Sequence, residues 1–217
     1  MLAFLKNLVI RIAFFTLMLV PLASFGNTLP NRSEESVDLV EFLALIQEPL
    51  AAIETINKEL KDSIEGLTDI FSFENVSEYN KLIHSKGKVE EFLEKLDDCE
   101  TIYEQAFTLL ESLVETTNFK YDSLKIGLQT VFEAGKTTPT KLTREYFSIE
   151  RSVMQTFDSI LDFFIETEGL FHVSNNSELV FSRDSDLERY NLLIKRLREV
   201  TQEEEKIIQQ LEKLRPL

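Results

Sequence analysis

Metal binding, nucleophilic attack and proton transfer each need particular side chains at particular spacings, and few residues in this chain qualify. It has two histidines, His84 and His172, and one cysteine, Cys99. Glu168 and His172 have the four-residue spacing that puts two ligands on one helix face. One such pair supplies only half of the donors a metal needs, so a solvated pair is expected. His84 lies near Lys81, Lys86 and Lys88, which points to a surface position. There is no Gly-x-Ser-x-Gly elbow, Gly-rich phosphate loop or Cys and His pairing, so no catalytic residue, metal ligand or cofactor is expected.

Carboxylates are abundant, as in Asp97-Asp98 and Glu203-Glu204-Glu205, and such runs usually form solvated helix faces. A catalytic acid and base pair would need burial. Cys99 falls on an apolar row between Phe92 and Ala106, where a small buried hydrophobe is expected in preference to a disulfide-linked dimer. Asn31, Asn75 and Asn175 each begin an Asn-x-Ser sequon, which matters only in a host that glycosylates exported chains. Lys195, Arg196 and Arg198 form a basic cluster beside Glu188 and Glu199, which suggests ion pairing.

The elements that position these residues follow from composition. Across 217 residues there are only 6 Gly and 5 Pro, too few for the turns of sandwiches, barrels or phosphate-binding folds, so long helices remain. The N-terminus carries Lys6 and Arg11, the apolar run Ile12 to Val20, then Pro21 and the small residues Ala23, Ser24 and Gly26. This is the pattern of a secretory signal peptide over residues 1–26, with cleavage between Ala23 and Gly26. It implies an exported chain, periplasmic or extracellular, with residues 27–217 as one domain. Removing the leader takes away two basic residues and no acidic one, shifting the net charge from -15 to -17. Such a surface repels nucleic acid and anionic headgroups.

In the remainder, Ile46, Ile53, Leu60 and Leu67 recur every seven residues, with Leu50, Ile64 and Phe71 on the neighbouring row. This heptad seam predicts a helix packed lengthwise on another, with Asn57 at the seam and a kink near Leu45 from Pro49. After a break at Ser72-Phe73-Glu74, Asn75 and Glu78 have capping-box spacing. Two rows follow: Leu82, Val89, Leu96, Tyr103, Leu110, and Phe92, Cys99, Ala106, Leu113. The phase continues through Tyr121, Leu124, Leu128 and Val131. Residues 76–134 therefore read as one helix or two in line, with Thr116-Thr117-Asn118 as a weak spot and Gly135 as the stop. Thr138-Pro139 reads as the start of a third helix carrying Leu142, Tyr146, Ile149, Val153, Phe157, Ile160 and Phe164 and ending near Gly169. Ser185 and Glu188 predict the cap of a fourth, with Leu193, Leu197, Val200, Ile207, Leu211 and Leu214 on its seam and Glu204 breaking it once. The expected fold is all-α: an elongated antiparallel bundle of about four long amphipathic helices with coiled-coil-like packing.

Phe171, Val173, Leu179 and Phe181 depart from this pattern, flanking the polar stretch Ser174 to Ser177. They read as an irregular loop plugging the bundle end, with a short β-hairpin as the alternative. They are also the candidate tip for a partner or a membrane. The expected function is that of an exported, non-enzymatic bundle working through contact with an unidentified protein partner. The alternatives are a membrane-active protein inserting the Phe-rich stretch 163–181, and a carboxylate-dependent enzyme.

Overall fold

A computed structural model describes residues 35–67, 78–174 and 178–213. The leader, the break at Ser72 to Glu74, the three sequon asparagines, Phe71 and Leu214 lie outside these residues, as do the side chains of Asn57, Ile64 and Val131. The described residues are mostly helical: α1 (Glu35–Leu67), α2 (Tyr79–Thr116), α3 (Asp122–Glu166) and α4 (Asp184–Lys213). A two-stranded antiparallel sheet, β1 (Phe171–Val173) and β2 (Leu179–Phe181), lies between α3 and α4 in the chain.

The heptad rows account for what is buried. Ile46, Ile53, Leu60 and Leu67 of α1 are all buried, as are Leu82, Val89, Phe92, Leu96, Cys99, Tyr103, Ala106 and Leu110 of α2. A helix with one such stripe must cover it with another, because packing, not propensity, supplies most helical stability. The closest contacts join consecutive helices: α1 with α2, α2 with α3, α3 with α4. Ion pairs give the direction. Arg144 of α3 meets Glu104 of α2, Arg151 meets Asp97 and Glu100, and Lys86 meets Asp158 and Asp162. Numbers rise along α3 as they fall along α2, so the two run antiparallel. Lys95 Nζ to Ser63 Oγ at 2.8 Å and the Phe42–Phe119 ring pair at 5.4 Å show that α1 runs antiparallel to α2 as well.

Most buried apolar side chains form one cluster drawn from all four helices. A smaller one, with Phe42, Ile46, Leu110, Val114, Phe119, Leu124 and Leu128, brings α1 together with the α2–α3 turn.

Four sequence expectations need correction. Thr116-Thr117-Asn118 is an end and not a weak spot in a continuing rod: α2 stops at Thr116 and the chain reverses into α3. Buried Phe119 packs on Phe42 there, so the reversal is fixed by apolar contact. Gly135 does not stop a helix and Thr138-Pro139 does not start one, because α3 runs through both. An interior proline forfeits a backbone hydrogen bond at a cost of about 3 kcal/mol or more. Burial of Leu124 and Leu128 on one side and of Leu142, Tyr146 and Phe147 on the other offsets that cost. Glu78, expected as the far member of a capping box, is itself the residue preceding α2 and makes no side-chain cap bond. α4 begins one residue before Ser185, and Arg183 donates to both oxygens of the buried Asp186 at its first turn, at 2.7 and 3.1 Å.

Candidate functional site

The four tip residues come together. Pairing of Phe171 with Phe181, His172 with Val180 and Val173 with Leu179 makes a hairpin, and the pleat puts Phe171, Val173, Leu179 and Phe181 on one face. The expected irregular loop is therefore replaced by strand pairing, extended by Ser182 N–H donating to the Leu170 carbonyl and Ser174 N–H to that of Glu178, each at 2.8 Å. Gly169, at φ 75°, turns the chain out of α3 in the left-handed conformation that glycine adopts without strain.

A lone hairpin of this size is marginal in water, so its apolar face must be covered. Phe164 lies 5.1 Å from Phe171, and Phe163 lies 5.7 Å from Phe181, centroid to centroid. Tyr190 of α4 stands 5.3 Å from Phe181 and 5.8 Å from Phe164, closing a five-ring cluster. Tilted ring pairs of this kind add about 0.5–1.5 kcal/mol each beyond area burial. Arg189 lies over the Phe163 ring at 5.4 Å and pairs with Glu166, joining α3 to α4 beside the cluster. Phe171, Leu179 and Phe181 are half-buried against the main core, while His172 and Val180 face outward. Val173 is half-buried on the inner face.

The other singled-out residues are scattered. His84, Glu168 and His172 are exposed, and among the described residues no group of three or more His, Cys, Asp or Glu could hold a metal ion. Cys99 is buried, and its thiol is pushed up to about 12 by burial and, secondarily, by the charge of Glu100. Lys195 and Arg196 each lie 4.0 Å from Glu199, within α4. Asp97 accepts from Arg151 on α3 at 2.6 Å. Burial alone would lower the Lys86 ammonium, but hydrogen bonds to Asp162 and Asp158 raise it.

Two carboxylates lie on buried rows, and Glu204 is one that the seam of α4 already includes. Glu203 and Glu205 are exposed as expected of a solvated run, but Glu204 between them is fully buried. Glu150 of α3, which the motifs of the sequence do not mark, is fully buried too, and neither of its carboxylate oxygens accepts a hydrogen bond. The signal was available: Glu150 follows Tyr146 by four and precedes Val153 by three, on the apolar row itself. Neither lines the grooves between α1 and α2 (about 230 Å³, with Asp62 and Lys95) or between α3 and α4 (about 370 Å³, with Ile149 and Ile207).

No helix among the described residues is long and apolar enough to cross a membrane. Compared with protein-family models, curated proteins and solved structures, the chain matches none.

Proposed function

We propose that this is an exported, non-enzymatic protein built as an elongated antiparallel bundle of four helices with coiled-coil-like packing, acting through contact with a protein partner. The observation that carries this reading is the inward orientation of Phe171 and Phe181. Their rings lie against Phe163, Phe164 and Tyr190, so the aromatic end is engaged within the chain and not presented to a bilayer. The leader-like N-terminus supports export, and the net charge of -15 disfavours nucleic acid and anionic headgroups as partners. Val40 and Leu43, three residues apart on α1, are exposed at 63% and 42% and offer a site of apolar contact.

A carboxylate-dependent enzyme is the second reading, favoured by the burial of Glu150 and Glu204. It is the weaker one, because a substrate must reach such groups and neither lines a groove described above.

Affinity capture of the tagged chain from the exported fraction tests the contact reading. Recovery of one protein in stoichiometric amount, released when Val40 and Leu43 are both changed to Ser, is the expected result. Recovery only together with membranes would contradict it.

A further inference from the structure

The buried residues divide at one level. Among those described, the smaller apolar cluster ends at Ile46 on α1, Leu110 on α2 and Leu128 on α3, while the larger begins at Ile56, Tyr103 and Leu142. Ile53 and Ala106, buried between them, belong to neither. The helix registers show that these gaps face one another. Fourteen residues back along α1 from Ser63 is Pro49, and fourteen on along α2 from its partner Lys95 is Leu109. Five back along α3 from Arg144 is Pro139, and five on from its partner Glu104 is again Leu109. Pro49 and Pro139, each inside its helix, therefore lie opposite the same residue of α2, at the boundary between the clusters.

A proline has no backbone N–H, so the carbonyl four residues earlier loses its helical donor: Leu45 on α1 and Gly135 on α3. Helices bend where such bonds are missing. α2 has neither Gly nor Pro from Lys88 to Thr116, which makes it an unbroken spine common to both sides. The ion pairs of Arg144, Arg151 and Lys86 all lie on the larger side. Counting on along α4 from Arg189 and back along α3 from its partner Glu166, Lys213 falls opposite Leu142, so the described part of α4 stays on that side too. What does cross the boundary is a string of rings: Phe132 to Phe107 at 5.1 Å, and Phe107 to Tyr103 at 6.4 Å.

We propose that the level of Pro49 and Pro139 is a hinge. The end built from 35–48 of α1, the α2–α3 turn and 122–134 of α3 swings as one body against the remainder, with α2 flexing and Phe107 as the pivot contact. One proline alone would bend one helix. Two at one level, with separate buried clusters on either side, let a whole end turn while each cluster keeps its own packing. Val40 and Leu43 ride on the moving end and the Phe163, Phe181 and Tyr190 rings on the other, so the swing sets the angle between the two ends. The hinge goes beyond the contact reading and does not rest on it.

Residual dipolar couplings of the backbone amides in the full chain test it without any partner, because they report how strongly each helix is aligned. Fitted separately, the alignment of 122–134 should be about 10–20% weaker than that of 140–166, the reduction expected for a swing of about 20–30°. Residues 40–48 should share the weaker value, since both segments belong to the moving end. Pro49→Ala combined with Pro139→Ala restores both hydrogen bonds and should bring the two values together. If that double variant fails to fold, Pro49→Ala alone should narrow the gap. Equal alignment throughout the parent chain, different values for 40–48 and 122–134, or a gap that the restored bonds leave unchanged would overturn the proposal.

Discussion

Arg144 on α3 grips both oxygens of Glu104 on α2, with Nε to Oε1 at 2.6 Å and Nη2 to Oε2 at 2.8 Å. A bidentate guanidinium–carboxylate pair fixes orientation as well as distance. With Arg151 on Asp97 and Glu100, and Lys86 on Asp158 and Asp162, it sets the register of two helices whose apolar stripes alone would tolerate a slip of one heptad.

The hydrogen bond from Arg144 holds the Glu104 carboxyl below its usual range. A carboxyl lowered in the folded state adds stability that is present above its unfolded value and lost as pH falls through the folded one. Glu104→Gln should therefore destabilise the protein at pH 7 by about 0.2–1 kcal/mol, a small amount because the pair is largely exposed. Urea titrations at pH 7 and pH 2.5 check this. The gap between parent and variant should close in acid, and a gap of equal size at both values would show that the ion pair is not its origin.

Leu60 is 1% exposed and Glu59 beside it is exposed. Leu60→Asp buries an unpaired carboxylate and should cost several kcal/mol, against a few tenths for Glu59→Ala. Thermal melts of both variants are the measurement, and equal melting temperatures would mean that the buried face of α1 is misplaced.

Cys99 should be inert in the native chain. Its thiol is buried and pushed up to about 12, so the reactive thiolate is scarce at neutral pH. An aromatic disulfide reagent should label it only after denaturant is added, and a non-reducing gel should show no linked dimer. Rapid labelling in buffer would place Cys99 at an opening surface.

Legibility in the sequence followed the range of the forces. Rows such as Ile46, Ile53, Leu60 and Leu67 were readable because burial repeats with the helical period and every turn restates it. Boundaries were less so. Gly135 and Pro139 carry strong local stop and start signals, yet α3 passes through them, because burial of Leu128 and Leu142 to either side outweighs local backbone preference. Thr117 to Tyr121 carries no glycine or proline, and the chain turns there because Phe119 packs on Phe42, far away in sequence. The hairpin was half-legible: two β-prone runs were visible, but its partners Phe163, Phe164 and Tyr190 lie on flanking helices. Glu150 is hard to read because its residue type signals a solvated face in an acidic chain. Only its phase relative to Tyr146 and Val153 gave it away.

The most direct test of the central claim is a paired measurement on Phe171 and Phe181. If their rings cover the end of the core, changing both to Ser should lower stability by roughly 2–5 kcal/mol, and the parent chain should stay at the bottom of a liposome flotation gradient at physiological salt. If they form a membrane tip, the parent chain floats with the liposomes. The double variant would then stay at the bottom while melting at the parent temperature, and that result would contradict the account.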